Sequence, residues 1–140
     1  MLILSCPFQS TWDISAKLLI CLTESGNTAK VVSKYRPACP ILAVTANEGY
    51  ETLLVKPGLT SHPHFFYSAA RRLLISKGVI PLKVDSMKGT EKVLETAFHY
   101  ARDVIHAVQA GDVVVILSGQ MEGISGATNM FKVAQVPSAH

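Results

Sequence analysis

Four short apolar runs constrain the fold of this chain more than any other feature. They are AKLLICL at residues 16–22, PILAVT at 40–45, VIPLKV at 79–84 and DVVVILS at 112–118. Strands of a parallel sheet have this composition because helices cover both of their faces. Each run is far shorter than the roughly 20 apolar residues that a membrane span needs. We therefore predict four strands, the first of them buried on both faces, and no membrane partner.

The segments between these runs have helical patterns. A short apolar stripe ends before Pro37, because proline disfavours helical geometry in the residue that precedes it, and residues 65–75 carry a second stripe. The longest pattern covers residues 90–110 and follows a 3.6-residue period. Its apolar members are Val93, Leu94, Ala97, Phe98, Ala101, Val104, Ile105 and Val108. Thr90 is predicted to cap this helix, and Gly111 is predicted to end it in a left-handed conformation.

The order of these elements predicts an α/β fold. Strands alternate with helices, and the last apolar segment, MFKVAQV at residues 130–136, follows the fourth strand after a short loop. A short connection joins antiparallel strands. We expect a five-stranded mixed sheet, with four parallel strands and an antiparallel last strand, and with helices on both faces. Ligands bind beyond the carboxyl ends of such strands, so the loops at residues 23–28 and 119–129 are expected to share one site.

Composition limits the classes of function. The chain has 140 residues, about one domain, and is 49% hydrophobic and 16% charged, which argues against disorder. The net charge is +3, and basic residues are scattered apart from the pair Arg71 and Arg72. That pair is interpreted as a solvated helix face. We therefore expect no nucleic-acid partner.

Cysteine and histidine spacing gives no sign of a metal centre. Cys6, Cys21 and Cys39 form no C-x-x-C pair, which favours a reducing, cytoplasmic compartment. The histidines are interpreted as surface residues, and their only close pair is His62 and His64. No nucleophile–base set stands at an informative spacing, and no acidic cluster is suited to magnesium. The sequence therefore predicts no catalytic residue and no metal site.

The loop TESGNT at residues 23–28 is the first candidate site. Its hydroxyls and amide N–H groups could hold a phosphate at the positive end of the following helix. The residues concerned are Thr23, Ser25, Gly26, Asn27 and Thr28. Ordinary turn and cap chemistry uses the same residue types and is the favoured alternative. Glu24 strengthens that alternative, since a carboxylate repels phosphate.

The glycine-rich loop GQMEGISGATN at residues 119–129 is the second candidate. Its glycines would allow a ligand to approach the backbone closely, and the candidate phosphate-binding residues are Gly123, Ser125 and Gly126. The loop contains no Gly-Lys-[Ser/Thr] motif and no G-x-G-x-x-G motif. A simple hairpin turn is the favoured alternative.

The order of residues adds a resemblance. ISAKLLICLTESGNTAKVVSKYRPACPILAVTANE at residues 14–48 resembles the C-terminal domain of pyruvate kinase, which shares Thr-x-Ser-Gly, Tyr-Arg-Pro and Pro-Ile-x-Ala-Val-Thr motifs. KGVIPLKV, AGDVVVILSG and SGATNMFKV resemble later segments of the same domain. The resemblance covers residues 14–137 and leaves residues 1–13 as an unmatched tail. The segment at residues 46–67 is longer than its family counterpart.

The resemblance implies the same α/β fold. It also implies that catalysis lies elsewhere in the family, in a (β/α)8 barrel that binds magnesium, potassium, phosphoenolpyruvate and ADP. No segment of this chain resembles that barrel. We therefore expect no cofactor in this chain and no activity of the chain alone.

Two roles follow from the resemblance. The resemblance implies that regulated relatives bind a sugar bisphosphate, with one phosphate in the loop that corresponds to residues 23–28. It also implies that this domain contacts other subunits in a tetramer. Glu24 stands where responsive relatives commonly have Lys, and residues 85–101 lack the Trp and Arg that regulated animal members use. We expect weak or absent bisphosphate binding, and self-association or pairing with full-length pyruvate kinase subunits. A free-standing sensor of phosphorylated metabolites, or a pure interaction module, is the alternative.

Overall fold

The computed structural model describes residues 14–46, 69–119 and 128–138. Its elements, in chain order, are β1 (Leu18–Leu22), α1 (Asn27–Lys34), β2 (Ile41–Ala46), α2 (Ala69–Leu73), β3 (Val79–Val84), α3 (Thr90–His99), a π-helical turn (Tyr100–Val104), β4 (Val113–Gly119) and β5 (Thr128–Gln135). No helix in this part of the chain is long and apolar enough to cross a membrane. The predictions for residues 1–13, and for the helix before residue 69, lie outside the described residues.

The strands form the predicted mixed sheet. Within the described residues the order is β3-β2-β1-β4-β5. β1 pairs in parallel with β2 and β4, β2 pairs in parallel with β3, and β4 pairs antiparallel with β5. β1 is therefore the central strand. Cys21 in β1 lies opposite Ala43 on one side and Leu117 on the other.

Two hydrophobic layers sandwich the sheet, which confirms the prediction of helices on both faces. Every residue of β1 is buried, and successive side chains enter opposite layers. Leu19 and Cys21 pack in one layer with α1 and with Leu73 of α2. Leu18 and Ile20 pack in the other layer with α3. This arrangement explains why β1 has no polar position.

The prediction of one helix over residues 90–110 is right about its start and wrong about its end, and the prediction that Thr90 caps it is also wrong. The regular α3 stops at His99 and continues as the π-helical turn. The Ile105 amide donates to the Tyr100 carbonyl at 3.2 Å, and His106 then takes a left-handed φ of 50°. At the other end, left-handed Gly89 occupies the N-cap position, and Thr90 is the first helical residue.

The π-helical turn explains why the apolar repeat is a poor guide to the end of this helix. A π-turn widens the helix and breaks the 3.6-residue phase. Val104, predicted to be in the core, is 58% exposed, whereas Val108 is buried after the helix has ended. Gly111 is left-handed as predicted, with a φ of 89°, but it lies in the turn before β4 and caps no helix.

Two cysteines belong to the core. Cys21 and Cys39 are free and buried in the layer beneath α1. Burial raises the pKa of the Cys21 thiol to about 12 and also raises the pKa of Cys39. Both thiols are therefore neutral at physiological pH, and a neutral thiol is a poor nucleophile and a poor metal ligand.

Candidate functional site

The loop at residues 23–26 begins at the carboxyl end of the central strand. β1 ends at Leu22, and Gly26 is the N-cap residue of α1. Thr23 is buried, and its amide donates to the Val44 carbonyl of β2 at 3.0 Å. The neighbouring strand therefore fixes the start of the loop. This is the edge of an open α/β sheet where ligands bind.

Two backbone amides of the loop donate to the loop's own side chains. The Gly26 amide donates to Thr23 Oγ1 at 3.1 Å, and the Asn27 amide reaches Ser25 Oγ at 3.5 Å. The Lys30 amide donates to the Gly26 carbonyl at 3.0 Å and opens the helix. Two of the amides predicted to bind phosphate are thus directed at loop hydroxyls. An anion would have to displace these contacts.

Helix α2 packs directly on this loop through Leu73. Gly26 has a φ of 79°, a conformation that L-residues with a side chain rarely adopt. A Cβ atom at Gly26 would also lie 3.2 Å from Cδ1 and Cγ of buried Leu73. Glycine is therefore required at this position by both the backbone conformation and the close contact.

Arg72 brings a positive charge to the loop. Its Nη2 donates to the Ser25 carbonyl at 3.4 Å, a contact between residues 47 positions apart in sequence. The interpretation of Arg71 and Arg72 as a solvated helix face agrees with the exposure of both side chains. For Arg72 that interpretation is incomplete, because its guanidinium also contacts the loop. Nothing in the local sequence pattern indicates this contact, which the packing of α2 creates.

The second candidate loop cannot be placed beside the first. Gly123, Ser125 and Gly126 lie outside the described residues. The strand that leads to that loop carries a residue that the sequence analysis missed. Ser118 in β4 is buried, and its Oγ has no hydrogen-bond partner among the residues that the structure describes. A polar residue at the end of an apolar run was the available signal, since buried hydroxyls normally find a partner.

No metal centre is found in the part of the chain that the structure describes. Within residues 14–46, 69–119 and 128–138, His, Cys, Asp and Glu side chains do not gather in groups of three or more that could hold an ion. The described candidate residues Thr23, Ser25, Gly26, Asn27 and Thr28 form one continuous loop and helix start.

Substituting alanine for Gly26 tests the contact between the loop and α2. Gly78 is a matched control, because its φ of 76° is similar but a Cβ added there would meet no atom within 4 Å. We expect Gly78→Ala to lower the free energy of unfolding by about 1 kcal/mol through backbone strain alone. Gly26→Ala should cost about 1–3 kcal/mol more, because overpacking against Leu73 adds to that strain. Equal losses in urea unfolding would contradict the contact.

The comparisons with known proteins agree on one family. The family model for the pyruvate kinase alpha/beta domain matches residues 3–134. Pyruvate kinase of Dictyostelium discoideum is 39% identical over 124 residues, which are 89% of this chain and 20% of that protein. Pyruvate kinase of Clostridium acetobutylicum is 36% identical over 124 residues, which are 89% of this chain and 22% of that protein.

A solved structure gives the same result for the fold. Cryptosporidium parvum pyruvate kinase in complex with ADP superimposes with a TM-score of 0.74 and 32% identity, covering 96% of this chain and 23% of that one. The chain thus spans about a fifth of the length of the curated relatives that it matches. The match over residues 3–134 shows that this chain belongs to the pyruvate kinase alpha/beta domain family.

Proposed function

We propose that this chain acts as the regulatory and assembly domain of a pyruvate kinase. The reaction of the whole enzyme would be phosphoryl transfer from phosphoenolpyruvate to ADP, giving pyruvate and ATP in glycolysis. The family match over residues 3–134 supports this proposal. In this proposal, the part of the relatives that the chain does not match carries the chemistry. The cytoplasmic location expected from the cysteines remains a prediction.

The effector loop is proposed to bind sugar bisphosphate weakly or not at all. Glu24 places a carboxylate in the loop, and the Gly26 and Asn27 amides are already directed at Thr23 and Ser25 hydroxyls. Repulsion between two unit charges about 5 Å apart costs about 3 kcal/mol at an effective dielectric of about 20. Arg72 offsets part of this cost, but its guanidinium is engaged with the Ser25 carbonyl.

Calorimetric titration with fructose bisphosphates tests the role of Glu24. We expect no saturable binding in the micromolar range for the natural chain. Glu24→Lys should gain binding, because it replaces a repulsive charge with an attractive one. Glu91→Lys is the matched control, since it makes the same change of charge in the first turn of α3, outside the loop.

Two results would overturn this account of the loop. Micromolar binding by the natural chain would show that Glu24 and the occupied amides do not prevent phosphate binding. An equal gain in Glu91→Lys would show that net charge, and not the loop, controls affinity.

The assembly role is supported by a difference between the two edges of the sheet. In the described residues β3 and β5 are the edge strands. β3 carries Pro81, which has no N–H group to donate, and exposed Lys83, both of which discourage edge-to-edge pairing. β5 has no proline and exposes Met130, Phe131 and Val133 to 39%, 36% and 46%.

A second copy of the domain is the proposed partner of β5. Antiparallel pairing of two β5 strands about a two-fold axis would satisfy unpaired backbone groups on both copies and cover their apolar side chains. Phe131 and Val133 lie opposite Leu117 and Val115 of β4, so they extend one apolar face of the sheet to its edge. The same edge could pair with full-length pyruvate kinase subunits.

Charge placed on β5 should disrupt this association. We expect the natural chain to dimerise, and Val133→Lys to weaken the dimer at least about tenfold because the new ammonium group would be desolvated at the interface. Ile75→Lys is the control, as it makes the same change at a site that is 89% exposed and away from β5. Light scattering after size exclusion measures the mass. A monomeric natural chain, or equal dimerisation of the natural chain and Val133→Lys, would contradict the proposal.

A further inference from the structure

A cavity of about 380 Å³, open to solvent, lies between the edge strand β3 and the end of α3. Its lining residues are Leu82, Glu95, Thr96, His99, Tyr100 and Val104. None of them belongs to the loop at residues 23–28. They lie on the α3 side of the sheet, whereas that loop leads into α1 on the opposite side. The effector loop therefore does not account for this cavity.

The π-helical turn supplies one side of the cavity. Tyr100 and Val104 are the first and last residues of that turn. Leu82 and Tyr100 also pack against the core, so they form a firm apolar floor. Val104 is an aliphatic residue that remains 58% exposed.

One ionisable residue that lines the cavity, His99, contacts a side chain of the π-helical turn. His99 Nε2 lies 3.1 Å from Asp103 Oδ2, and Arg102 Nε donates to Asp103 Oδ1 at 2.9 Å. The hydrogen bonds from Arg102 lower the pKa of Asp103, so this carboxylate is ionised and engaged. The Glu95 carboxylate has no such contact within the described residues. It is the acceptor that the cavity offers to a ligand.

We propose that this cavity binds a small molecule with an aromatic or branched aliphatic body and one protonated amine. Its volume falls within the range of small-ligand pockets, roughly 300–1,000 Å³. The body would contact Leu82 and Val104, and the amine would donate a charge-assisted hydrogen bond to Glu95. The Tyr100 ring face also attracts cations. A carboxylate of the same shape would be repelled by Glu95.

Phenethylamine is the probe, and 3-phenylpropionate is its anionic counterpart. Both are titrated into the isotope-labelled full chain, and amide chemical shifts are followed by NMR. We expect phenethylamine to shift signals from Leu82, Thr96 and Val104 in a saturable way. The anion should bind at least about tenfold more weakly, because it loses the charge-assisted contact.

Three variants separate this site from general attraction of cations. Val104→Trp fills the cavity from an exposed position and should abolish the shifts. Glu95→Gln should weaken phenethylamine binding about tenfold and leave the anion unaffected or improved. Glu91→Gln removes one negative charge from the same helix, outside the cavity, and should change nothing.

The proposal fails if phenethylamine gives no saturable shifts, or if the shifts map away from β3 and α3. It also fails if both probes bind equally, or if Glu91→Gln and Glu95→Gln behave alike. Should Val104→Trp lose the dispersed spectrum of a folded chain, Glu95→Gln and the anionic probe still decide the outcome.

Discussion

Burial of β1 on both faces is the constraint on which the rest of the structure depends. All five of its residues are buried, and both of its edges are paired with parallel strands. Its apolar side chains alternate between the two hydrophobic layers. Each layer therefore needs its own helical cover, and the crossover helices of a parallel sheet provide it. The position of the loop that follows β1 is a consequence of this arrangement.

Several hydrogen bonds and one close side-chain contact fix the conformation of that loop. The Thr23 amide donates a hydrogen bond to the Val44 carbonyl, and the Gly26 amide donates one to the Thr23 hydroxyl. The Leu73 side chain packs closely against Gly26. Arg72 adds a contact to the Ser25 carbonyl. These interactions use hydrogen-bonding groups that an anion site would leave available. Two amides of the loop are already engaged within it, which agrees with the proposal that it binds an effector weakly.

Much of the fold could be predicted from the sequence. The composition of β1 indicated that it is covered on both faces, and the short link after the fourth strand indicated its antiparallel neighbour. The end of the long helix could not be predicted, because Val104 and Ile105 fit the apolar repeat and only the backbone shows the π-helical turn that interrupts it. Side-chain identity does not reveal a change of hydrogen-bonding register.

The candidate site was predicted less completely. The residue types of the loop indicated turn and cap chemistry, and Thr23 and Ser25 do accept hydrogen bonds within the loop. The contact of Arg72 could not be predicted, since it joins segments 47 residues apart and depends on how α2 packs. The cavity beside β3 was missed for the same reason, because its lining comes from β3, α3 and the π-helical turn, and Val104 fits the apolar repeat of a core position.

In our proposal, this chain supplies a folded binding and assembly surface, and phosphoryl transfer depends on residues outside it. The most direct test is a lactate dehydrogenase-coupled assay of the purified chain with phosphoenolpyruvate, ADP, magnesium and potassium, and with an intact pyruvate kinase as the positive control. We expect NADH oxidation at the rate of the enzyme-free blank. Sustained oxidation that scales with the concentration of the chain would contradict it.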